Sequence, residues 1–126
     1  GVRMTAGLAG EPTCGPVFVF LDAAPGTEVL PVRSIGTESI VAPVAGSVVA
    51  AGTTLGHGAV RVEEAGVDHP AVVAGPDGAQ VVVLFGDRRA LHSAIDDGAL
   101  AGTLGAALGP VLAELGSQLP LAGSSA

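Results

Sequence analysis

The sequence predicts an α+β domain, two antiparallel hairpins followed by a C-terminal helix. Three features predict it: β-branched runs without helical period, a Pro-Asp-Gly turn between two such runs, and a leucine stripe near the C-terminal end. The first element is the run GPVFVFLD at 15–22, whose aromatic and β-branched residues read as a buried central strand. AAPG at 23–26 supplies a turn. TEVLPVRS at 27–34 alternates through Val29 and Val32 and reads as a hairpin partner interrupted by Pro31. In the middle of the chain, 44–51 reads as a short helix closed by Gly52 and 59–62 as a short strand. Residues 71–85 form a second hairpin, with Pro76 presetting φ and Gly78 taking a left-handed conformation.

The end of the sequence reads as helical. Asp96 or Asp97 offers an N-cap, and Leu100, Leu104, Leu108, Val111, Leu112 and Leu115 recur at helical spacing. Gly98, Gly102, Gly105 and Gly109 share that period on the opposite face, where a partner backbone could approach. Four glycines otherwise cost about 0.8–1.0 kcal/mol each relative to Ala. The reading places one domain over 1–116 and a tail or linker over 117–126.

Composition narrows the chemistry. With 48% hydrophobic residues in 126 there is material for one packed core without disulfide staples. All five basic residues are Arg, and the missing lysine excludes Schiff-base chemistry, P-loop nucleotide hydrolysis and lipoyl or biotinyl carriers. A net charge of −7 with no Trp or Tyr argues against direct nucleic-acid contact. The single Cys14 and a start without secretory features point to the cytoplasm. The uncharged stretch 98–113 falls short of the ~20 residues of a membrane span.

Candidate catalytic groups do not assemble in sequence. His57, His69 and His92 lack the close spacing of metal ligands, and no metal or other cofactor is expected. No Gly-x-Ser-x-Gly elbow surrounds Ser47, and Cys14 has no basic neighbour to activate it. The adjacent pairs Glu63-Glu64 and Asp96-Asp97 point different ways from any regular backbone and read as solvated surface. Binding, sensing or assembly is expected over catalysis, so the sequence reads as non-enzymatic.

The segments VFVFLDAAPGTEVLPVRSIG, VAGSVVAAGTTLGHGAVRV, AVVAGPDGAQVVVLFGDRR and SAIDDGALAGTLGAALGPVLAEL, taken in order, resemble a GAF domain over 15–115. The resemblance implies a GAF/PAS-like fold, a central antiparallel sheet of about five to six strands flanked by helices, and a sensory or regulatory role in a bacterial signal-transduction or transcription-regulatory protein. It also implies a homodimer through the C-terminal helix and a small-ligand pocket over 36–70. Ser34, Glu38, His57, Arg61, Asp68 and His69 are the candidate pocket residues. An alternative comes from IVAPVAGSVVA, which resembles the barrel-sandwich hybrid of glucose-type phosphotransferase carriers and would make His57 a phosphate-handling residue. Leu84 stands where that family would place a second histidine.

Overall fold

The computed structural model describes residues 2–8 and 15–96. Their elements are β1 (Val2–Leu8), β2 (Val17–Ala23), β3 (Glu28–Leu30), β4 (Ser39–Ala50), β5 (Thr53–Gly56), β6 (Arg61–Glu63), β7 (Val72–Phe85) and α1 (Arg88–Asp96). All pairings are antiparallel, in a seven-stranded sheet of order β1-β2-β7-β4-β5, with β3 joining β7 and β6 joining β4.

The long strands β4 and β7 determine the shape. They pair with each other along nearly their whole length, from Ser39↔Phe85 to Ala50↔Val72, with register shifts between Pro43 and Ala45 and between Gly46 and Val48. Burial changes phase at those shifts. In β4 the buried positions are Ser39, Val41 and Pro43 before the irregularity and Val48 and Ala50 after it. In β7 the buried side chains are those of Val72 and Ala74, then of Ala79, Val81, Val83 and Phe85. A strand that changes phase turns a new face inward. The first half of β7 and the second half of β4 therefore build one layer with β3 and β5, and the second half of β7 and the first half of β4 a second with β1, β2 and β6, folded over a shared interior. Gly46 permits the bend: its φ is +70°, and a Cβ there would collide with the Gly78 carbonyl.

Fully buried Val17, Val19 and Leu21 of β2, Val41 and Val48 of β4, and Val81, Val83 and Phe85 of β7 fill that interior. Leu30 after the first turn and Leu91 of α1 close it. The helix is capped by Asp87, whose Oδ1 accepts the Arg89 backbone N–H at 2.9 Å. It is tied to the segment leading into β2 by Arg88, whose backbone N–H and Nε both donate to the Gly15 carbonyl at 3.0 Å.

Several expectations are corrected here. The α+β class with flanking helices gives way to an antiparallel β-structure carrying one nine-residue helix among the described residues. The strand expected at 15–22 is β2, but its neighbours are β1 and β7. The segment expected as its hairpin partner pairs with β7 through β3. The helix expected at 44–51 is the second half of β4, where Val48 and Ala50 alternate inward against β7. The hairpin expected over 71–85 is one bent strand, and Pro76 and Asp77 sit exposed at its bulge instead of reversing the chain. Cys14, the leucine stripe, the glycine row Gly98, Gly102, Gly105 and Gly109 and the tail lie outside the described residues, as does the proposed dimer helix.

Candidate functional site: a buried arginine–glutamate cluster

Period-two geometry on the short strand β6 turns Arg61 and Glu63 toward the interior and leaves Val62 outside, 68% exposed. The register sets Glu63 beside Ser39 of β4. Arg33 enters the same space from the segment after β3, held by a two-way backbone bridge to His69: the Arg33 N–H donates to the His69 carbonyl at 3.1 Å and the His69 N–H to the Arg33 carbonyl at 2.7 Å.

The Glu63 carboxylate is the centre of the cluster. Its Oε1 accepts from Arg33 Nη2 and, at 3.0 Å, from Ser39 Oγ; its Oε2 accepts from Arg61 Nε at 2.9 Å. Arg33 Nη1 donates to the carbonyls of Pro31 at 3.0 Å and Pro70 at 2.9 Å. The side chains of Arg33 and Glu63 are each 1% exposed, whereas that of Arg61 is 27% exposed. No buried side-chain polar atom among the described residues lacks a hydrogen-bond partner.

Burial by itself would push the Glu63 carboxyl up. The hydrogen bond from Arg61 and the charge and hydrogen bond of Arg33 outweigh it and hold Glu63 below the ordinary carboxylate value. Burial lowers the Arg33 guanidinium, against the raising influence of Glu63. The cluster holds two guanidinium groups and one carboxylate, a local excess of positive charge in a chain of net charge −7. Arg61 is its outlet. Its Nε is committed to Glu63, and its terminal nitrogens make no hydrogen bond among the described residues.

The candidate pocket residues fall in different places. Arg61 belongs to the cluster, and His69 adjoins it through the bridge to Arg33, with Nε2 donating to the Glu64 carbonyl at 2.9 Å. Ser34, half-buried, follows Arg33 in the chain. Glu38 is exposed and accepts from Thr37 Oγ1 at 2.8 Å. His57 lies exposed between Gly56 and Gly58 in the β5–β6 connection, and Asp68 is exposed in the β6–β7 connection. The side chain of His92 lies outside the described set. Arg33, Ser39 and Glu63 were not among the expected residues. The one available signal was alternation: of the adjacent pair Glu63-Glu64, one side chain must face inward on a strand.

This donor set does not suit a divalent cation. Both carboxylate oxygens already accept from cationic or hydroxyl donors, two guanidinium groups stand where an ion would be repelled, and no three His, Cys, Asp or Glu gather among the described residues.

No protein-family model matches the chain, and no curated protein sequence does. Solved structures do match. A chain of the Rhodobacter sphaeroides complex of SigE with the anti-sigma ChrR superposes with a TM-score of 0.56 at 16% identity, covering 68% of this chain and 44% of that one. A protein with a cupin-like fold from Ralstonia eutropha gives 0.56 at 18% identity, covering 68% and 55%. Oxalate decarboxylase from Bacillus subtilis gives 0.57 at 17% identity, covering 69% and 25%. The chain thus spans about half or less of the chains it resembles, and at these identities the likeness shows the fold, which is cupin-like.

That fold overturns the GAF-like reading and, with it, the phosphocarrier alternative built on His57. The IVAPVAGSVVA stretch behind that alternative is the bent strand β4. The expectation of a non-enzymatic domain does not hold either, because the same fold serves oxalate decarboxylase, an enzyme. No helix among the described residues is long and apolar enough to cross a membrane.

Proposed function

We propose that the chain is a regulatory cupin-fold domain that recognises a small carboxylate-bearing anion at the Arg61 edge of the Arg33–Glu63 cluster. The observation that carries this reading is the charge count of the cluster, two guanidinium groups on one carboxylate with Arg61 partly open to solvent. A planar guanidinium whose Nε is already fixed presents its remaining N–H groups in the fork that carboxylates match. The regulatory part rests on likeness to the complex containing an anti-sigma factor, and the choice of a carboxylate agrees with likeness to oxalate decarboxylase. The Mn(II) centres of that enzyme are not carried over, because the donor set here does not suit such an ion.

Calorimetric titration with sodium oxalate and sodium acetate, against sodium chloride at equal ionic strength, tests the reading. Saturable binding of a carboxylate that is lost in Arg61→Gln, with the circular dichroism spectrum unchanged, is expected. Absence of saturable binding, or binding indifferent to Arg61→Gln, refutes it.

A further inference from the structure

The second layer is apolar on its inner side and over the middle of its outer side. Its inward residues form the core, yet two adjoining rows of its outward residues are apolar too, where a solvated sheet face would alternate to polar. Paired residues share a face, so the registers Phe18↔Leu84, Ile40↔Leu84 and Ile40↔Val62 lay one apolar row across β2, β7, β4 and β6. Phe20↔Val82 and Ala42↔Val82 lay a second row beside it. Phe18 is 42% exposed, Phe20 38% and Val62 68%. Polar groups bound the patch. Arg3 and Asp22 form an exposed ion pair at 2.6 Å, Gln80 lies opposite Asp22, and Thr5 lies opposite Phe20. Exposed Glu38, whose carbonyl accepts from the Gly86 backbone N–H, marks the other end. This is the layout of an interface, an apolar centre within a polar rim.

We infer that this outer face is where a second copy of the chain docks, sheet against sheet, about a two-fold axis. Size points to this occupant. Five strands spaced ~4.8 Å apart, with seven residues of β2 at ~3.3 Å each, make a face roughly 20 Å on a side. With side-chain relief it offers about 500 Å² per copy, or about 1,000 Å² for the pair, the level a specific interface needs to reach. An isologous contact meets that level with one surface used twice, and an identical twisted sheet supplies matching curvature. The apolar rows carry no charge, so the net −7 of each copy does not oppose the contact at its centre. At one end of the rim Arg3 and Asp22 neutralise each other in their ion pair, and at the other Glu38 adds a single negative group.

Sedimentation equilibrium of the full chain up to about 100 μM, a range that captures micromolar dimers, tests the inference. The expected result is twice the chain mass for the wild type and for Val67→Glu, an exposed position in the β6–β7 connection, outside the paired strands. Phe18→Glu and Phe20→Glu are each expected to give the single-chain mass with an unchanged circular dichroism spectrum. A wild type of single-chain mass overturns the inference, whether the face is free, covered by the rest of the chain or reserved for a different protein. So does a dimer that survives both Phe substitutions with its fold intact, since association then runs through another surface.

Discussion

Replacing Glu63 by Leu should destabilise the domain more than replacing its partner Arg33 by Met, and the second substitution should rescue the first. In Glu63→Leu the Arg33 guanidinium stays buried with only the Pro31 and Pro70 carbonyls as acceptors. An uncompensated charge at 1% side-chain exposure costs about 3–5 kcal/mol. For a domain of this size that lowers Tm by roughly 15–25 °C. In Arg33→Met the carboxylate keeps Arg61 and Ser39, so the loss is smaller, about 1–3 kcal/mol, mostly from carbonyls left without a donor. The double variant removes both buried charges, and Arg61, already 27% exposed, can turn to water. Its cost should come to no more than about 2 kcal/mol, because apolar replacement of a complete buried pair is often neutral. Urea unfolding of the four proteins at one pH reads all three quantities. Additive losses, with the double variant less stable than Glu63→Leu, would refute the assignment of Glu63 as counter-charge to Arg33.

Two further outcomes follow from the same geometry. The depressed Glu63 group contributes stability that is present above its ordinary value of 4.5 and is lost as pH falls through its folded value. Wild-type unfolding free energy should therefore decline below pH 4.5 more steeply than that of Glu63→Gln, and parallel curves would count against the cluster. Gly46→Ala and Gly52→Ala both place a side chain at positive φ, at +70° and +76°, a strain of about 1–2 kcal/mol. Only at Gly46 does the new Cβ meet backbone, the Gly78 carbonyl, so Gly46→Ala should cost about 2 kcal/mol more than Gly52→Ala in thermal unfolding. Equal costs would mean that the β4–β7 bend can shift freely.

The strands were legible where pattern and burial coincide, and the bends were not. VFVFLD reads as a strand because its residue types leave no alternative, and β2 is there. Pro76-Asp77-Gly78 carries the chemistry of a turn, and the same chemistry serves a bulge. What decides between them is the partner strand, here β4 running alongside both halves of β7, which lies far away in the sequence. The reversal between β4 and β5 is the converse case. It is a two-residue turn at Ala51-Gly52 with both φ values positive, 51° and 76°, without the Asn-Gly pair that announces such a turn. The run VAGSVVAAG was therefore read as a capped helix. Asp96 and Asp97 offer the same capping chemistry as Asp87, the residue that caps α1, and sequence alone does not rank them. At the site, the sequence points to Arg61 and His69 but not to Arg33 and Glu63. Their pairing spans 30 residues and depends on the bridge between Arg33 and His69, which no local motif encodes.

The residues of β2 and β7 carry one more piece of information. VFVFL and VVVLF are the sequences of strands covered on both sides, yet the described chain covers one. The exposure of Phe18 and Phe20 corresponds to about 160 Å² of apolar surface, or about 4 kcal/mol if removed from water. Doubled across a two-fold axis, that is about 8 kcal/mol, within the estimated range of about 4–15 kcal/mol lost in freezing two bodies together. The two aromatic residues alone would therefore roughly offset the cost of association, and net affinity would depend on Leu84, Ile40 and Val62 between and beside them. This explains why a chain so poor in aromatic residues places two of its three phenylalanines outward, while the third, Phe85, is fully buried in the core. The outward pair and the inward one lie on opposite faces of the same layer, and both faces read as interior.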